Sequence, residues 1–93
     1  MVVAVTKRGK EAQDRVLAAI LSLTVERGYP PTYREIGTHV KLAHSAVYLH
    51  VHSLSEAGLV YEDHHTARSL RLSDAGRAHV AATEYPDRIE AAI

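Results

Sequence analysis

Histidine is the residue type in this sequence with the greatest capacity for chemistry, because imidazole can bind a metal or change its charge near neutral pH. The most suggestive spacing is that of His50 and His52 with the later pair His64 and His65. Spacing by two on a helix points side chains about 200° apart, so His50 and His52 are poorly placed to share one ion. The chain also has no cysteine, and we expect no metal site. The seven histidines are His39, His44, His50, His52, His64, His65 and His79.

Catalytic arrangements are not evident elsewhere in the sequence. No Ser/His/Asp set, glycine-rich phosphate loop or pair of catalytic acids stands out. A chain of 93 residues has room for one domain and one modest core, which argues against a large enzyme cleft. No apolar run approaches the roughly 18 residues of a membrane span. We therefore expect a cytoplasmic protein that is not an enzyme and has no cofactor.

The elements that would position functional side chains begin with a helix predicted from Lys10 to Arg27, where apolar residues recur at helical spacing. Gly28 follows at the place of a left-handed C-cap. Pro30 and Pro31 cannot continue a helix. The first helix should therefore end before a short extended link.

Two short helices are predicted next. Thr32 and Glu35 form a capping box that starts the first of them at Tyr33. After a turn of a few residues, the other is predicted from Ser45 to Ala57, closed by Gly58. Its apolar stripe at helical spacing should be buried, which leaves an outward face consisting of Ser45, Tyr48, Leu49, His52 and Glu56.

Two short strands, Leu59 to Asp63 and Arg68 to Leu72, are predicted to pair as a ribbon. Ser73 then caps a last helix from Asp74 to about Thr83. This order predicts a mainly α fold with a small β-hairpin, the winged helix-turn-helix. We divide the chain into an N-terminal arm at 1–9, the winged helix-turn-helix at 10–72, and a C-terminal helix and tail at 73–93 that is a possible dimer element.

A tightly joined helix pair suggests a DNA-binding function, because the first helix can support the second in a major groove about 12 Å wide. The formal net charge of zero argues mildly against this, since DNA-binding domains usually carry a basic excess. The same scaffold also serves proteins that bind only other proteins. A protein-interaction module, such as an antirepressor or an assembly factor, and a metal- or pH-sensing regulator therefore remain as alternatives.

Residues 28–59 carry a family resemblance in the stretches "GYPPTYREIG", "SAVYLHVHSL" and "EAGLV". They resemble the DNA-binding domain of LexA-type SOS repressors, and the similarity extends from Lys10 to Leu72. Two departures are local: the turn before Ser45 is one residue shorter than is usual in the family, and Ala57 stands where the family often has lysine. The chain also reaches Ile93 without the Ser/Lys peptidase domain, so the resemblance does not imply self-cleavage.

The resemblance implies that base edges are read at four positions of the third helix. Ser45 can donate to or accept from a base or phosphate, and Tyr48 offers a hydroxyl and a ring. Ala46 and Leu49 can pack on a thymine methyl. His52 lies on the same outward face and completes the candidate reading surface.

The family's wing arginines correspond to Arg68 and Arg71, which we expect to meet phosphate or the minor groove. Lys7, Arg8 and Lys10 are candidate phosphate contacts at the start of the first helix. Together these features predict a repressor that binds double-stranded DNA as a homodimer. Dimer contacts are expected from Val80, Ala81 and Ala82, from the tail, or from the N-terminal "MVVAV".

Overall fold

The first helix is longer than its apolar pattern indicated. The computed structural model describes residues 7–83, with side chains from Gly9 onward. Helix α1 spans Lys7–Arg27, so it begins at Lys7 rather than Lys10. It ends as predicted, because Gly28 has a φ of 82° and its N–H donates to the carbonyl of Thr24 at 2.8 Å.

The helix pair follows the predicted order. Helix α2 spans Tyr33–Val40 and α3 spans His44–Glu56. The capping box before α2 is confirmed: the Glu35 N–H donates to the Thr32 hydroxyl at 3.1 Å, and the Thr32 N–H donates to Glu35 Oε1 at 2.8 Å. Both ends of the box are satisfied within the chain, which fixes where α2 starts.

The turn between α2 and α3 depends on a glycine and a left-handed residue. Lys41 has a φ of 62° and a ψ of 49°, which reverses the chain immediately after α2. The Leu42 N–H then donates to the Gly37 carbonyl at 2.9 Å. A Cβ on Gly37 would lie 2.7 Å from the carbonyl oxygen of Leu42, so a larger residue does not fit without a shift of the backbone. This close approach brings the start of α3 against α2.

The hairpin is shorter than predicted. Strand β1 is Val60–Tyr61 and β2 is Arg71–Leu72; they pair antiparallel with Val60 opposite Leu72 and Tyr61 opposite Arg71. Asp63 ends the ladder early, because its side chain accepts from the His65 N–H at 2.9 Å and from the Thr66 hydroxyl at 2.7 Å. The wing is therefore mainly a side-chain-stabilised loop.

A single apolar core joins all the elements. It is formed by Val16, Leu17, Ile20, Leu23, Ile36, Val40, Val47, Val51, Leu54, Val60, Leu70, Leu72 and Val80, together with Ala18 and Ala19. Helix α4, Asp74–Ala82, closes it, with the Ser73 hydroxyl accepting from the Gly76 N–H at 3.0 Å. Within residues 7–83, four helices and a two-stranded hairpin in this order form a winged helix-turn-helix.

Candidate nucleic-acid interface

The outward face of α3 carries most of the predicted reading residues. Ser45, Tyr48, Leu49 and His52 are all exposed and recur at helical spacing, while Ala46 is half-buried at the edge of this face. The side chains of Tyr48 and Leu49 are prominent, at 53% and 64% exposure. The opposite stripe of α3 is buried, as predicted. The helix thus offers a mixed polar and apolar surface to solvent.

Tyr48 leans on an aromatic neighbour that the sequence did not single out. Its ring centroid lies 6.1 Å from that of Tyr33, and the ring centroid of His44 also lies near Tyr33, at 5.9 Å. The Tyr33 hydroxyl donates to Glu62 Oε1 at 2.6 Å, so α2 is tied to the wing. Partial burial, followed by the Glu62 carboxylate, raises the pKa of Tyr33. This phenol stays protonated and keeps its donor role.

A cavity of about 240 Å³ is lined by residues of both α3 and the hairpin. Its α3 wall includes Tyr48, Val51 and His52, and its hairpin wall includes Val60 and Glu62. The hairpin therefore flanks the second half of α3, whereas the turn after α2 flanks its beginning. The outward face of α3 lies between these two neighbours.

The Arg68 guanidinium donates hydrogen bonds to groups of its own chain. Its Nη1 and Nη2 donate to Glu35 Oε1 and Oε2 at 3.0 and 3.2 Å, a two-pronged ion pair. Nη1 also donates to the Pro30 carbonyl at 3.1 Å, and the guanidinium lies 4.8 Å from the centre of the Tyr29 ring. The sequence predicted a phosphate contact here, but the observed partners are a carboxylate, a carbonyl and an aromatic ring. The observed geometry gives Arg68 a structural role in holding the wing.

The Glu35 carboxylate contacts several groups that orient the wing relative to the helix pair. Besides its capping bonds and Arg68, its Oε2 lies 3.2 Å from Arg27 Nη1 at the end of α1. The hydrogen bonds from Arg68 and then from the Thr32 N–H, with the nearby Arg27 charge, lower the pKa of Glu35 to about 2. One carboxylate therefore connects α1, α2 and the wing loop.

Arg71, the second predicted wing contact, remains at the surface. Its guanidinium lies 4.6 Å from the centre of the Tyr61 ring on the neighbouring strand. Among residues 7–83 no carboxylate forms an ion pair with it within 4 Å. Of the two wing arginines, Arg71 is the one with an exposed and uncompensated charge.

The helix pair, the capping box and the first strand of the wing lie within the stretch that matches a known family. The model of the LexA DNA binding domain matches residues 6–69, more than half of the chain. The chain belongs to the LexA DNA-binding domain family. This confirms the resemblance inferred from the "GYPPTYREIG" stretch, and the winged helix-turn-helix agrees with it.

Full-length relatives extend the comparison. The LexA repressor of Lacticaseibacillus casei is 32% identical over 81 residues, covering 86% of this chain and 39% of the relative. That of Lactiplantibacillus plantarum is 33% identical over 85 residues, covering 90% of this chain and 40% of the relative. The LexA repressor of a Nocardioides species reaches 43% identity over 61 residues. The chain thus spans about 40% of the length of the first two relatives.

The histidines of this LexA-family domain are distributed over several elements. His52 Nε2 lies 3.8 Å from Glu56 Oε2, and His64 Nδ1 lies 3.9 Å from Glu62 Oε1. His79 Nε2 is 2.9 Å from an oxygen of the largely buried Asp14, a contact that ties α4 to α1. Within the described part of the chain, no three His, Asp or Glu side chains converge as metal ligands.

The remaining predicted contacts lie at the start of α1. Lys10 is exposed there, while the side chains of Lys7 and Arg8 lie outside the description. No helix among residues 7–83 is both long and apolar enough to cross a membrane.

Sequence reasoning missed Tyr33 and Glu62 as neighbours of the LexA-type reading helix, since their contact joins residues 29 positions apart.

Proposed function

We propose that this domain binds double-stranded DNA as a transcriptional repressor, with α3 in the major groove. The observation that carries the proposal is the exposed face of α3. Helix α2 packs against α3. The face is formed by Ser45, Tyr48, Leu49 and His52. A helix fits a major groove about 12 Å wide, and its N-terminal residues meet the base edges. The LexA repressors that the chain resembles support the repressor assignment.

Each residue on this face has a chemical role in the proposal. Ser45 donates to or accepts from a base or phosphate near the start of α3. Leu49 and the half-buried Ala46 pack on thymine methyl groups. Tyr48 adds a hydroxyl and an apolar ring, and His52 extends the contact by another turn. With no arginine or asparagine on this face, phosphate contacts must supply much of the affinity.

The wing contributes through Arg71 in this proposal. Its exposed guanidinium, stacked on Tyr61, is available for a phosphate or the minor groove beside the reading helix. Arg68 acts indirectly, because its ion pair with Glu35 holds the wing against α2. In this proposal Arg71 contacts DNA, whereas Arg68 holds the hairpin in position.

We further propose that two copies bind a two-fold related operator, because one domain of this size buries little DNA surface. Val80, a predicted dimer residue, is only 4% exposed and packs within its own core, so it is not available to a partner. Ala81 and Ala82 remain exposed on α4. The other predicted contacts, in the first five residues and in the tail at 89–93, lie outside the described residues.

Sequencing the duplex fragments that the purified protein retains from a random pool tests the function. We expect a two-fold related motif, binding that weakens steeply with salt, and two chains per duplex in sedimentation. Fragments with no enriched motif would contradict sequence-specific reading. One chain per duplex would contradict the paired arrangement while leaving DNA binding intact.

A further inference from the structure

Most of the arginines packed around the helix pair have partners inside the chain. Arg15 donates to the Val40 carbonyl at 2.9 Å, and both Arg27 and Arg68 share the Glu35 carboxylate. Arg34 and Lys41 differ: both are exposed, and neither forms an ion pair with another described residue. Their charges are therefore uncompensated beside the start of α3.

These two cations flank one concave surface, which we call the turn cleft. Arg34 and Lys41 lie seven positions apart on α2 and its C-cap, so they share a side of the helix two turns apart. The cleft has a volume of about 210 Å³, and none of its lining residues is acidic. The lining is formed by Arg34, Gly37, Thr38, Lys41, Leu42 and His44.

The backbone of the turn borders this cleft. Gly37 has no side chain, and the Leu42 carbonyl approaches the place where a Cβ would stand. The left-handed conformation of Lys41 turns the chain so that His44, the first residue of α3, borders the same cleft. A glycine in the wall and two unpaired cations at the rim make a cleft suited to a small anionic group.

The cleft lies at the beginning of α3, where a DNA strand would border the reading helix. His44 is followed directly by Ser45, the first residue of the proposed reading face, while the hairpin flanks the second half of α3 across its own cavity. With α3 in a major groove, a sugar-phosphate strand borders each side of the helix. The cleft would then face one strand at the beginning of α3, and Arg71 in the wing would face the backbone further along.

We propose that the turn cleft binds a DNA backbone phosphate through Arg34 and Lys41, with His44 as an additional donor. This inference rests on the proposed DNA-binding function and assigns residues to it that the family resemblance did not. It also answers the charge difficulty raised by the neutral composition. Because Glu35 compensates the Arg68 charge, Arg71 is left as the exposed wing arginine, and cations outside the wing must add to the counterion release that stabilises the complex.

Salt dependence of binding tests the cleft without knowledge of the operator. Affinity of the full chain for a random-sequence duplex would be measured by fluorescence anisotropy across a salt series. The variants are Arg34→Gln, which keeps helix propensity, and Lys41→Asn, since asparagine tolerates the left-handed conformation. Lys41→Arg retains the charge. Arg77→Gln is the matched control, because Arg77 is exposed on α4 and has no ion pair among the described residues.

We expect Arg34→Gln and Lys41→Asn each to reduce the slope of log affinity against log salt by about one, equally for all sequences. Lys41→Arg and Arg77→Gln should keep the wild-type slope. Unchanged slopes in both charge-removing variants, with salt-dependent binding by the wild type, would overturn the cleft but not the proposed function. A wild-type protein that does not bind duplex DNA would overturn both. A loss of affinity for a duplex of one defined sequence, with an unchanged salt slope on the random-sequence duplex, would reassign the cleft to base reading.

Discussion

Replacing Tyr48 by alanine should weaken DNA binding far more than it weakens the fold. Tyr48 is 53% exposed, and its ring rests partly on Tyr33. A tyrosine buries about 150–250 Å², so half-coverage corresponds to about 100 Å². At about 25 cal/mol per Å², the loss in unfolding free energy has an upper bound of about 2.5 kcal/mol. Replacing a fully buried aromatic residue by alanine would instead lower the unfolding free energy by about 3–5 kcal/mol.

The loss in binding should follow from the place of Tyr48 on the proposed reading face. A base-region contact is worth about 1–3 kcal/mol, which corresponds to an increase in Kd of about 5- to 150-fold. Fluorescence anisotropy on the selected duplex gives Kd, and urea unfolding gives stability. Tyr48→Phe separates the ring from the hydroxyl. Val25→Ala is the control, since Val25 is a 75% exposed apolar residue on α1, and it should change neither quantity.

Two results would refute the reasoning about Tyr48. A stability loss above about 3 kcal/mol would make Tyr48 a core residue, because only a well-buried aromatic costs that much. An unchanged Kd on the selected duplex, in a protein that remains folded, would remove this face of α3 from the DNA interface. Equal effects of the alanine and phenylalanine variants would assign the contact to the hydroxyl alone.

Arg71→Gln should reduce the salt slope of DNA binding by about one, equally for all sequences; loss on only some sequences would indicate groove reading. Hydrogen bonds from Arg68 lower the pKa of Glu35 to about 2. The Glu35–Arg68 ion pair therefore stabilises the fold fully above pH 4.5, the ordinary pKa of this carboxyl, and this stabilisation is lost as the pH falls towards 2. Acid unfolding followed by circular dichroism should show the advantage of wild type over Arg68→Asn shrinking through that window, and a constant advantage would contradict the ion pair. Gly37→Ala puts a Cβ 2.7 Å from the Leu42 carbonyl oxygen and should cost about 1–3 kcal/mol in urea unfolding, whereas an unchanged midpoint would show that the turn relaxes freely.

Features determined by neighbouring residues could be predicted from the sequence. Thr32 and Glu35 are three positions apart, so their capping box follows from local spacing alone. Gly28 and Gly58 end their helices in the left-handed conformation for the same local reason. The burial of one stripe of α3 followed from helical periodicity. The family itself was identified from a stretch in which these local signals combine.

The partner of Arg68 within the chain could not be predicted, because it is distant in sequence. Arg68 and Glu35 are 33 positions apart, and an exposed arginine on a strand pattern is equally compatible with solvent, phosphate or a carboxylate. Val80 illustrates the same limit, since a small apolar residue on a short helix can face a partner or its own core. Only the packing of α4 against α1 and β2 decides between them. Local pattern predicts which residues are apolar or charged, but not which distant group compensates them.

Glu35 explains why a helix cap and a wing can belong to the same functional unit. A carboxylate used only for capping would leave an oxygen for solvent, but here Arg27 and Arg68 take up both oxygens while the Thr32 N–H donates to one of them. The start of α2 is thereby fixed relative to the end of α1 and to the wing loop. Because α2 supports α3, the angle between the reading helix and the hairpin depends on this carboxylate. Together with the Tyr33–Glu62 hydrogen bond, this carboxylate couples local helix chemistry to the spacing of the proposed DNA contacts.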